Sequence, residues 1–334
     1  MTSYQLPSLK LRLFSLTYQL MTDIMVQAEG LKKRFGNMVA LRGIDLAVPA
    51  GSVLGVLGPN GAGKTTTINC LTTLLKPDAG FCAIAGYDVV KQPAAVRALI
   101  GVTGQFAAVD EELTARENLI LFGRLLRLSA RQATRRATEL LEQFDLIEAS
   151  HRRVKEFSGG MRRRLDLAAS IVAEPLVLFL DEPTTGLDPR SRRQLWEMVR
   201  ALQASGITIL LTTQYLEEAD ELADRIVVID RGTVIAEGTS DDLKNRVGGT
   251  FCELELADPK DERQVRQLLA DLGDLQGRGS TLTLPAPNGV ATLSEVVQRV
   301  SATGIVLADI SLRRPSLDDV FFALTGHATG DEAL

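Results

Sequence analysis

The stretch that decides the fold is residues 58–66, with the sequence GPNGAGKTT. The apolar run 53–57 precedes it, and residues 67–75 suit a helix that stops before Pro77 and Gly80. Glycine-rich backbone between a strand and a helix N-terminus can direct several N–H groups at phosphate oxygens. The pattern therefore predicts a phosphate-binding loop, and a glycine loop that holds no nucleotide is the alternative.

Individual positions of this loop have different expected tasks. Backbone N–H groups around the three glycines can converge on the β- and γ-phosphates of a nucleotide, and the lysine adds a point charge. The first threonine after the lysine can offer its hydroxyl to Mg²⁺. The expected nucleotide-binding residues are Gly58, Pro59, Asn60, Gly61, Ala62, Gly63, Lys64, Thr65 and Thr66, with Thr65 also a metal ligand.

A second candidate lies where Asp181 and Glu182 follow the apolar run 176–180. A carboxylate pair at the end of a buried strand is costly unless it holds a cation. Adjacent side chains of an extended chain point to opposite sides, so each carboxylate can have its own task. We expect Asp181 to hold Mg²⁺ through a water and Glu182 to polarise an attacking water. Two exposed acids without a function are the alternative.

The remaining pattern predicts an α/β core followed by a smaller unit. Residues 93–157 are rich in Leu, Ala, Arg and Glu at helical spacing, which indicates a helical insertion in the core. The apolar runs 177–180 and 207–211 indicate buried strands, and the core should end near Leu243. Residues 250–326 alternate between strand and helix patterns, which predicts a small α+β domain.

Composition limits the classes of function. The chain has 334 residues, of which 45% are hydrophobic and 24% charged, and its formal net charge is −5. This charge gives no general basic footprint for nucleic acid. Cys70, Cys82 and Cys252 lack the spacing of a zinc site or a disulfide framework, which favours a reducing cytosol. No apolar run approaches the roughly 18 residues that span a bilayer.

The two ends of the chain carry weaker signals. Residues 1–24 lack a continuous apolar segment followed by a small-residue cleavage site, so we expect no signal peptide. They form a disordered or amphipathic N-terminal extension, or they precede the true start of the protein; the sequence leaves these alternatives open. Residues 327–334 are expected to be a tail.

A third motif lies between the phosphate loop and the carboxylates. Phe157, Ser158, Gly159, Gly160 and Met161 resemble the signature motif of ABC ATPases, which is LSGGQ in most members. The serine and the two glycines open a helix, so a hydroxyl, backbone amides and a helix N-terminus can face a γ-phosphate. An ordinary helix-capping turn is the alternative. The resemblance implies that this segment completes the ATP site of a second copy of the chain.

Other positions match the ABC ATPases in chain order. Phe35 matches the aromatic residue that stacks on adenine, with a core phenylalanine as the alternative. Gln105 matches the glutamine that reaches Mg²⁺ and the attacking water, and Asp188 matches the loop that crosses the dimer interface. The resemblance runs from about residue 25 to 243, with every motif in order.

The resemblance also implies an architecture. It is an α/β fold with a P-loop NTPase (RecA-like) core, an antiparallel β subdomain and a helical insertion. The ATPase domain is expected over residues 25–245, with its helical subdomain at about 93–157. A small C-terminal α+β appendage follows at 250–326.

One position departs from the family pattern. Most members carry a switch histidine after the strand at 207–211, whereas this chain has Gln214, and its histidines are His151 and His327. Glutamine can donate a hydrogen bond to a γ-phosphate but cannot exchange a proton near neutral pH. Either Glu182 activates water while Gln214 positions a group, or hydrolysis is slow. A surface amide without a role is the alternative.

Gln214 together with the closing sequence PSLDDVFFALTG at 315–326 is similar to daunorubicin/doxorubicin-resistance ATP-binding subunits. The resemblance implies a bacterial ATPase that binds ATP and Mg²⁺ and forms a homodimer. It also implies docking, near Gln105, on a separate integral-membrane permease at the cytoplasmic face of the membrane, to export a hydrophobic drug or lipid. A soluble ABC ATPase of translation or DNA repair, a regulatory ATP-binding protein and a different cargo are the alternatives. The arginines at 162–164 indicate a solvated helix face.

Overall fold

The computed structural model describes residues 24–104, 108–247 and 249–325. The chain divides between Glu237 and Gly238 into two compact units. The first unit contains two β-sheets, and the second contains one. Among the helices in the described ranges, none combines the length and the apolar character needed to cross a membrane.

The first sheet of the N-terminal unit is the expected antiparallel β subdomain. Its strands are β1 (Ile24–Phe35), β2 (Met38–Pro49), β4 (Ala79–Ile84) and β5 (Tyr87–Asp88). They lie in the order β2-β1-β4-β5, and every neighbouring pair is antiparallel. The two long strands alternate between buried and more exposed residues, as one-sided burial of a sheet requires.

The second sheet of this unit is the core sheet. Its strands are β3 (Val53–Leu57), β6 (Ile100–Thr103), β7 (Val177–Asp181), β8 (Thr208–Thr213), β9 (Arg225–Asp230) and β10 (Thr233–Gly238). They lie in the order β10-β9-β3-β8-β7-β6, and the pairs from β9 to β6 are parallel. Strands β3, β7 and β8 are buried over their whole length, which is typical of strands covered on both faces. The carboxyl ends of the parallel strands therefore meet at one edge.

Local sequence explains where several helices of this unit begin. Thr114 and Ser129 each form a capping box with the side chain three residues later. Ser158 and Asp188 cap the next two long helices with their side-chain oxygens. The helices are α1 (Lys64–Leu71), α2 (Pro93–Arg97), α3 (Ala115–Leu125), α4 (Ala130–Gln143), α5 (Gly159–Ser170), α6 (Pro189–Ala204) and α7 (Leu216–Leu222).

Two sequence-based boundaries in this unit are wrong. The expected helical insertion at 93–157 contains the strand Ile100–Thr103, which pairs with β7 in the core sheet. A four-residue edge strand is too short to interrupt a Leu- and Ala-rich pattern visibly, which explains the wrong boundary. In the structure the long helices begin only at Ala115. The helix after the phosphate loop starts at Lys64 and not at residue 67, because Gly63 occupies its N-cap.

The second unit is an α+β unit with one antiparallel sheet. Its elements are α8 (Ser240–Val247), β11 (Phe251–Leu256), α9 (Glu262–Leu268), β12 (Gln276–Arg278), β13 (Thr281–Pro285), α10 (Val290–Ala302), β14 (Leu307–Arg313) and α11 (Leu317–Thr325). The strands lie in the order β12-β13-β11-β14. The element order β-α-β-β-α-β with this pairing is the ferredoxin-like arrangement of two split βαβ units. The sheet buries Cys252, Leu254, Leu282 and Leu284 in a core of its own.

The start of the second unit differs from the expected boundary. The sequence placed the end of the core near Leu243, and the ATPase domain at 25–245, whereas the compact units divide after Glu237. The reason is that α8 contacts α11, which is also an element of the second unit. The short strand β12 has no counterpart in the sequence-based prediction, because its three residues show no alternation and include Gly277.

Candidate functional site

The phosphate loop joins β3 to α1 and leaves the N-terminus of α1 without a side-chain cap. Gly63 is the N-cap residue and has a φ of 111°, which favours glycine. A Cβ on Gly58 would lie 2.3 Å from the carbonyl oxygen of Ile229, so packing also requires glycine there. At Gly61 (φ 77°), by contrast, no atom lies within 4 Å of an added Cβ. The loop is thus fixed from one side and open on another, as an anion-binding helix N-terminus needs.

Lys64 lies at the centre of this site and is only 4% exposed. Its Nζ donates to the carbonyl oxygens of Gly58 at 2.8 Å and Pro59 at 3.1 Å. The same Nζ is 3.2 Å from Oε1 of Glu182, which is 8% exposed. The lysine therefore connects the loop to the carboxylate expected to activate water, although the two are far apart in sequence.

Asp181 and Thr65 form the candidate metal site. Thr65 Oγ1 donates to Asp181 Oδ1 at 3.2 Å, and Thr212 Oγ1 donates to the same oxygen at 2.5 Å. Carboxylate and hydroxyl oxygens are the hard ligands that Mg²⁺ prefers, so the donor set fits this ion. Thr212 was missed by the sequence-based analysis. It is opposite Asp181 in the β7–β8 register, which only the parallel pairing of these strands reveals.

The backbone of Glu182 is held in an unusual conformation. Its φ of 48° lies in the left-handed region, which non-glycine residues adopt only when the surroundings fix them. The Glu182 N–H donates to the carbonyl oxygen of Thr212 at 3.1 Å and lies 3.2 Å from its Oγ1. Thr185 Oγ1 donates to Glu182 Oε2 at 3.3 Å. These contacts orient the carboxylate towards Lys64.

The signature segment, residues 157–161, contains an exposed helix start. Ser158 Oγ accepts a hydrogen bond from the Met161 N–H at 3.3 Å, so the serine does cap α5. Ser158 and Gly159 are exposed, and the nearest atom to a Cβ added at Gly159 is 3.9 Å away. The cap therefore leaves the N-terminal end of α5 accessible.

Asp188 is linked to this segment by Ser191, which contacts both Asp188 and Gly160. Asp188 Oδ1 accepts from the N–H groups of Arg190 and Ser191, each at 3.0 Å, and Oδ2 accepts from Ser191 Oγ at 2.6 Å. The Ser191 hydroxyl, together with these N–H groups, lowers the pKa of Asp188. A Cβ on Gly160 would lie 2.5 Å from Ser191 Oγ. The structure thus brings the signature segment and Asp188 together.

Three further predicted residues have different outcomes. Gln214 follows β8 directly and is half-buried, at the same sheet edge as Asp181. Phe35 ends β1 and is 41% exposed, with Lys33 Nζ 5.7 Å from its ring centroid, so it is not a core phenylalanine. Its stacking on adenine stays a prediction. Gln105 lies outside the described residues.

The prediction of a solvated face at residues 162–164 is wrong for Arg163. Arg163 is 9% exposed and donates to four carbonyl oxygens, those of Gly104, Asp181, Glu182 and Pro183. A run of three arginines has no internal sign of which member points inward. The buried Asp166, three residues later on α5, is the one sequence signal that could have singled it out.

Another buried acidic residue lies on α7, the helix that follows Gln214 in the chain. Glu218 is fully buried, and its Oε1 accepts a hydrogen bond from Trp196 Nε1 at 3.1 Å. Burial raises the pKa of Glu218, while hydrogen bonds with Thr213, Thr184 and Trp196 and, more weakly, the charge of Arg163 oppose this shift. No sequence pattern singled out this residue, because a glutamate in an acidic helix is expected to be exposed.

Comparison with known proteins agrees with this geometry. Residues 41–185 match the family model described as ABC transporter. The chain is 56% identical over 308 residues to the daunorubicin resistance ATP-binding protein DrrA2 of Streptomyces coeruleorubidus, covering 91% of this chain and 96% of the relative. It is 52% identical over 318 residues to the doxorubicin resistance ATP-binding protein DrrA of Mycobacterium tuberculosis, covering 92% and 95%.

Solved structures with the same fold match the ATPase part. An ATP-binding subunit of an ABC transporter is 31% identical with a TM-score of 0.60, over 66% of this chain and 92% of its own. A dimeric post-hydrolysis state of the ATP-binding cassette MJ0796, bound to ADP and Pi, is 25% identical with a TM-score of 0.59, over 64% and 98%. The chain therefore belongs to the ATP-hydrolysing, ATP-binding subunits of ABC transporters, in the branch of the daunorubicin and doxorubicin resistance ATP-binding proteins.

Proposed function

We propose that two copies of this chain enclose two ATP molecules, each between residues 58–66 of one copy and residues 158–160 of the other. One observation carries the proposal. The loop, Asp181 and Glu182 are bonded to one another within the chain, whereas Ser158 and Gly159 present an exposed helix N-terminus. Such an end attracts anions, and a phosphate held by another copy is a suitable one. The dimeric relative with ADP and Pi supports this arrangement.

The residues of the loop then divide the work of hydrolysis. Lys64 turns from the Gly58 and Pro59 carbonyls to phosphate oxygens, which frees the Glu182 carboxylate from its ion pair. Glu182 accepts a hydrogen bond from the attacking water and takes its proton. Thr65 and Asp181 hold Mg²⁺, which neutralises developing charge on the phosphates when bound.

Gln214 takes the place of a histidine in this scheme. Its amide holds the attacking water or a phosphate oxygen by hydrogen bonding, without exchanging a proton. Glu182 is then the only general base. Exposed Phe35 provides a flat apolar surface for the adenine ring. The rate of turnover consequently depends on how well Glu182 is oriented.

The work of the dimer is export of a hydrophobic drug or lipid. The supporting observation is that relatives named for resistance to daunorubicin and doxorubicin align over more than nine-tenths of this chain. In this proposal the subunit binds a separate integral-membrane permease at the cytoplasmic face of a bacterial membrane, with contacts made by the helical subdomain near Gln105. A translation or DNA-repair role is not favoured by any of these relatives.

The direct experiment is reconstitution. The chain, co-expressed with a permease encoded beside it, should co-purify with it and drive ATP-dependent uptake of daunorubicin into inside-out vesicles. The Glu182→Gln variant should co-purify equally well but drive no uptake. Failure of the wild-type chain to associate with any polytopic protein would contradict the transport role. Transport with full assembly after removal of residues 249–334 would show that the C-terminal unit is dispensable.

A further inference from the structure

Arg163 on α5 is a buried arginine that contacts the backbone of Asp181 and Glu182. Arg163 is the fifth residue of α5, whose N-cap is Ser158. Its side chain leaves the exposed end of the helix and enters the interior, where it is 9% exposed. A buried guanidinium is costly unless its five donors are satisfied, so its partners define its role.

All of its hydrogen-bond acceptors are backbone carbonyls of active-site segments. Nε donates to the Pro183 oxygen at 2.6 Å, and Nη2 donates to the oxygens of Asp181 and Glu182, both at 3.2 Å. Nη1 donates to the Gly104 oxygen at 2.8 Å. The planar fork of an arginine spreads five donors over three nitrogens in a fixed geometry that reaches three consecutive carbonyls, whereas a lysine donates from a single nitrogen.

These contacts act on the strained peptide of Glu182. A non-glycine residue with a φ of 48° is strained and persists only when several contacts fix it. Thr212 holds the N–H side of Glu182, and Arg163 holds the carbonyl side. Removing the arginine fork leaves the carboxylate-bearing residue held from one side.

Asp166 completes the device on the same helix. Its Oδ2 is 3.5 Å from Arg163 Nη1, which compensates the buried charge. Its Oδ1 accepts a hydrogen bond from the Ala108 N–H at 2.7 Å. The pair therefore contacts Gly104 and Ala108, the two described residues that flank positions 105–107.

We propose that Arg163, supported by Asp166, is a positioning residue that ties the signature helix to the catalytic glutamate of the same chain. This inference rests on the proposed function. One helix then serves two sites of the dimer: its N-terminus faces the nucleotide bound by the other copy, and Arg163 orients Glu182 towards the nucleotide bound by its own loop. Contact of the α5 N-terminus with the nucleotide of the other copy is thus transmitted through Arg163 to Glu182 of the same chain.

The test separates turnover from binding in the full-length protein. Arg163→Lys keeps the positive charge but loses the fork, so kcat for MgATP should fall about tenfold because bonds to charged groups are strong. The dissociation constant for ATP, measured by fluorescence of a trinitrophenyl-ATP probe, should stay within about twofold of wild type, since the loop is untouched. Loss of a merely structural arginine would weaken both together.

Arg164→Met is the matched control on the same helix. Arg164 is also largely buried and also donates to carbonyl oxygens, but those belong to Phe144 and Asp145 in the helical subdomain. Its kcat should stay within about twofold of wild type. A tenfold loss in this variant as well would show that any arginine on α5 is needed and would overturn the assignment.

A double-mutant cycle with Glu182→Gln supplies the decisive readout. If Arg163 acts through Glu182, then Arg163→Lys should change the single-turnover rate of the Glu182→Gln variant less than about twofold, although it costs about tenfold in wild type. Additive effects, or a wild-type kcat in Arg163→Lys, would overturn the proposal. If Arg163→Lys does not fold, Asp166→Asn takes its place, with the same expected selectivity for kcat over ATP affinity.

Failure of this inference differs from failure of the proposed function. The first leaves Glu182 essential and Arg163 indifferent. The second shows without any change at Arg163, as turnover that does not depend on Glu182 or as the absence of an ATP-dependent dimer in the Glu182→Gln variant.

Discussion

Two parts of the site are built in opposite ways. The loop half, consisting of residues 58–66 with Asp181 and Glu182, is joined by contacts within the chain, and Lys64, Asp181 and Glu182 are each less than 9% exposed. The signature half, consisting of residues 158–160 and Asp188, has caps for its own helices but keeps Ser158, Gly159 and Asp188 exposed. The loop half is thus a finished arrangement of charges, whereas the signature half is an accessible helix end.

The difference shows which residues can be understood from one chain. Charges such as Lys64 and Glu182 must find partners when they are buried, and in this fold they have found each other. Exposed backbone N–H groups need no partner inside the chain, because water satisfies them until a ligand arrives. Variants in the loop half should therefore affect each copy alone, and variants in the signature half should act only through a second copy.

Glu182→Gln gives the largest expected effect and tests the loop half. Loss of a general base lowers kcat by about 10²–10⁴-fold, while ATP binding remains because the amide is isosteric. ATPase assays and size-exclusion chromatography with MgATP should show little turnover and an ATP-stabilised dimer. Glu139→Gln, which changes an exposed glutamate of α4, is the control and should retain full activity. Near-wild-type phosphate release by Glu182→Gln would remove Glu182 from its role.

Gly159→Ala tests the signature half with a smaller effect. Within the chain the new Cβ would have Leu187 Cδ2 as its nearest neighbour, at 3.9 Å, so the fold should be unharmed or stabilised by about 0.4–1 kcal/mol. We expect kcat to fall about tenfold, because the methyl group shields a helix end that a phosphate must approach.

Thermal unfolding measures the stability of the Gly159→Ala variant, and ATPase assays measure its kcat. Gly249→Ala, where a Cβ meets no atom within 4 Å, is the control and should leave turnover unchanged. Wild-type activity in Gly159→Ala would indicate that residues 158–160 are only a helix cap.

Gln214→Ala tests the position at which most members of the family carry a histidine. Loss of one hydrogen bond from a neutral amide should lower kcat by about 2- to 10-fold. The pH profile of kcat between about 6 and 8 should keep its shape, because glutamine does not titrate. An unchanged kcat would favour a surface amide without a role.

Glu218→Gln has the smallest effect and concerns stability. Burial raises the pKa of Glu218 in the folded state, so its favourable contribution is complete below the unfolded pKa of about 4.3 and is lost as pH rises through the folded pKa. Glutamine cannot ionise and still accepts from Trp196 Nε1. Its Tm advantage over wild type should therefore be about 2–4 °C larger at pH 8 than at pH 5.

Glu221→Gln is the control for this pH dependence, since Glu221 lies on the same helix with a side chain that is 52% exposed. Its Tm relative to wild type should not change with pH. A Tm difference between Glu218→Gln and wild type that stays the same from pH 5 to pH 8 would contradict the raised pKa of Glu218.

Motifs were easier to predict than boundaries. The expected α/β class, the loop after β3 and the position of Asp181 and Glu182 at the end of β7 follow from contiguous residues, and the class and these positions are confirmed. The roles of these residues stay predictions. The strand Ile100–Thr103 was predicted as part of a helical insertion, and the start of the second unit was predicted too late in the chain. The position of a short edge strand and of a helix such as α8 depends on partners that are distant in sequence.

The sequence alone predicted the chemistry of the loop, since the functions expected of GPNGAGKTT, Asp181, Glu182 and the glycine pair at 159–160 depend on local backbone and residue type. The tertiary structure decided which charges are buried. It selected Arg163 from three consecutive arginines, placed Thr212 on Asp181, and enclosed Glu218 behind Trp196. The physical reason is that burial and hydrogen-bond partners depend on strand register and helix packing, and these join residues that no local pattern connects.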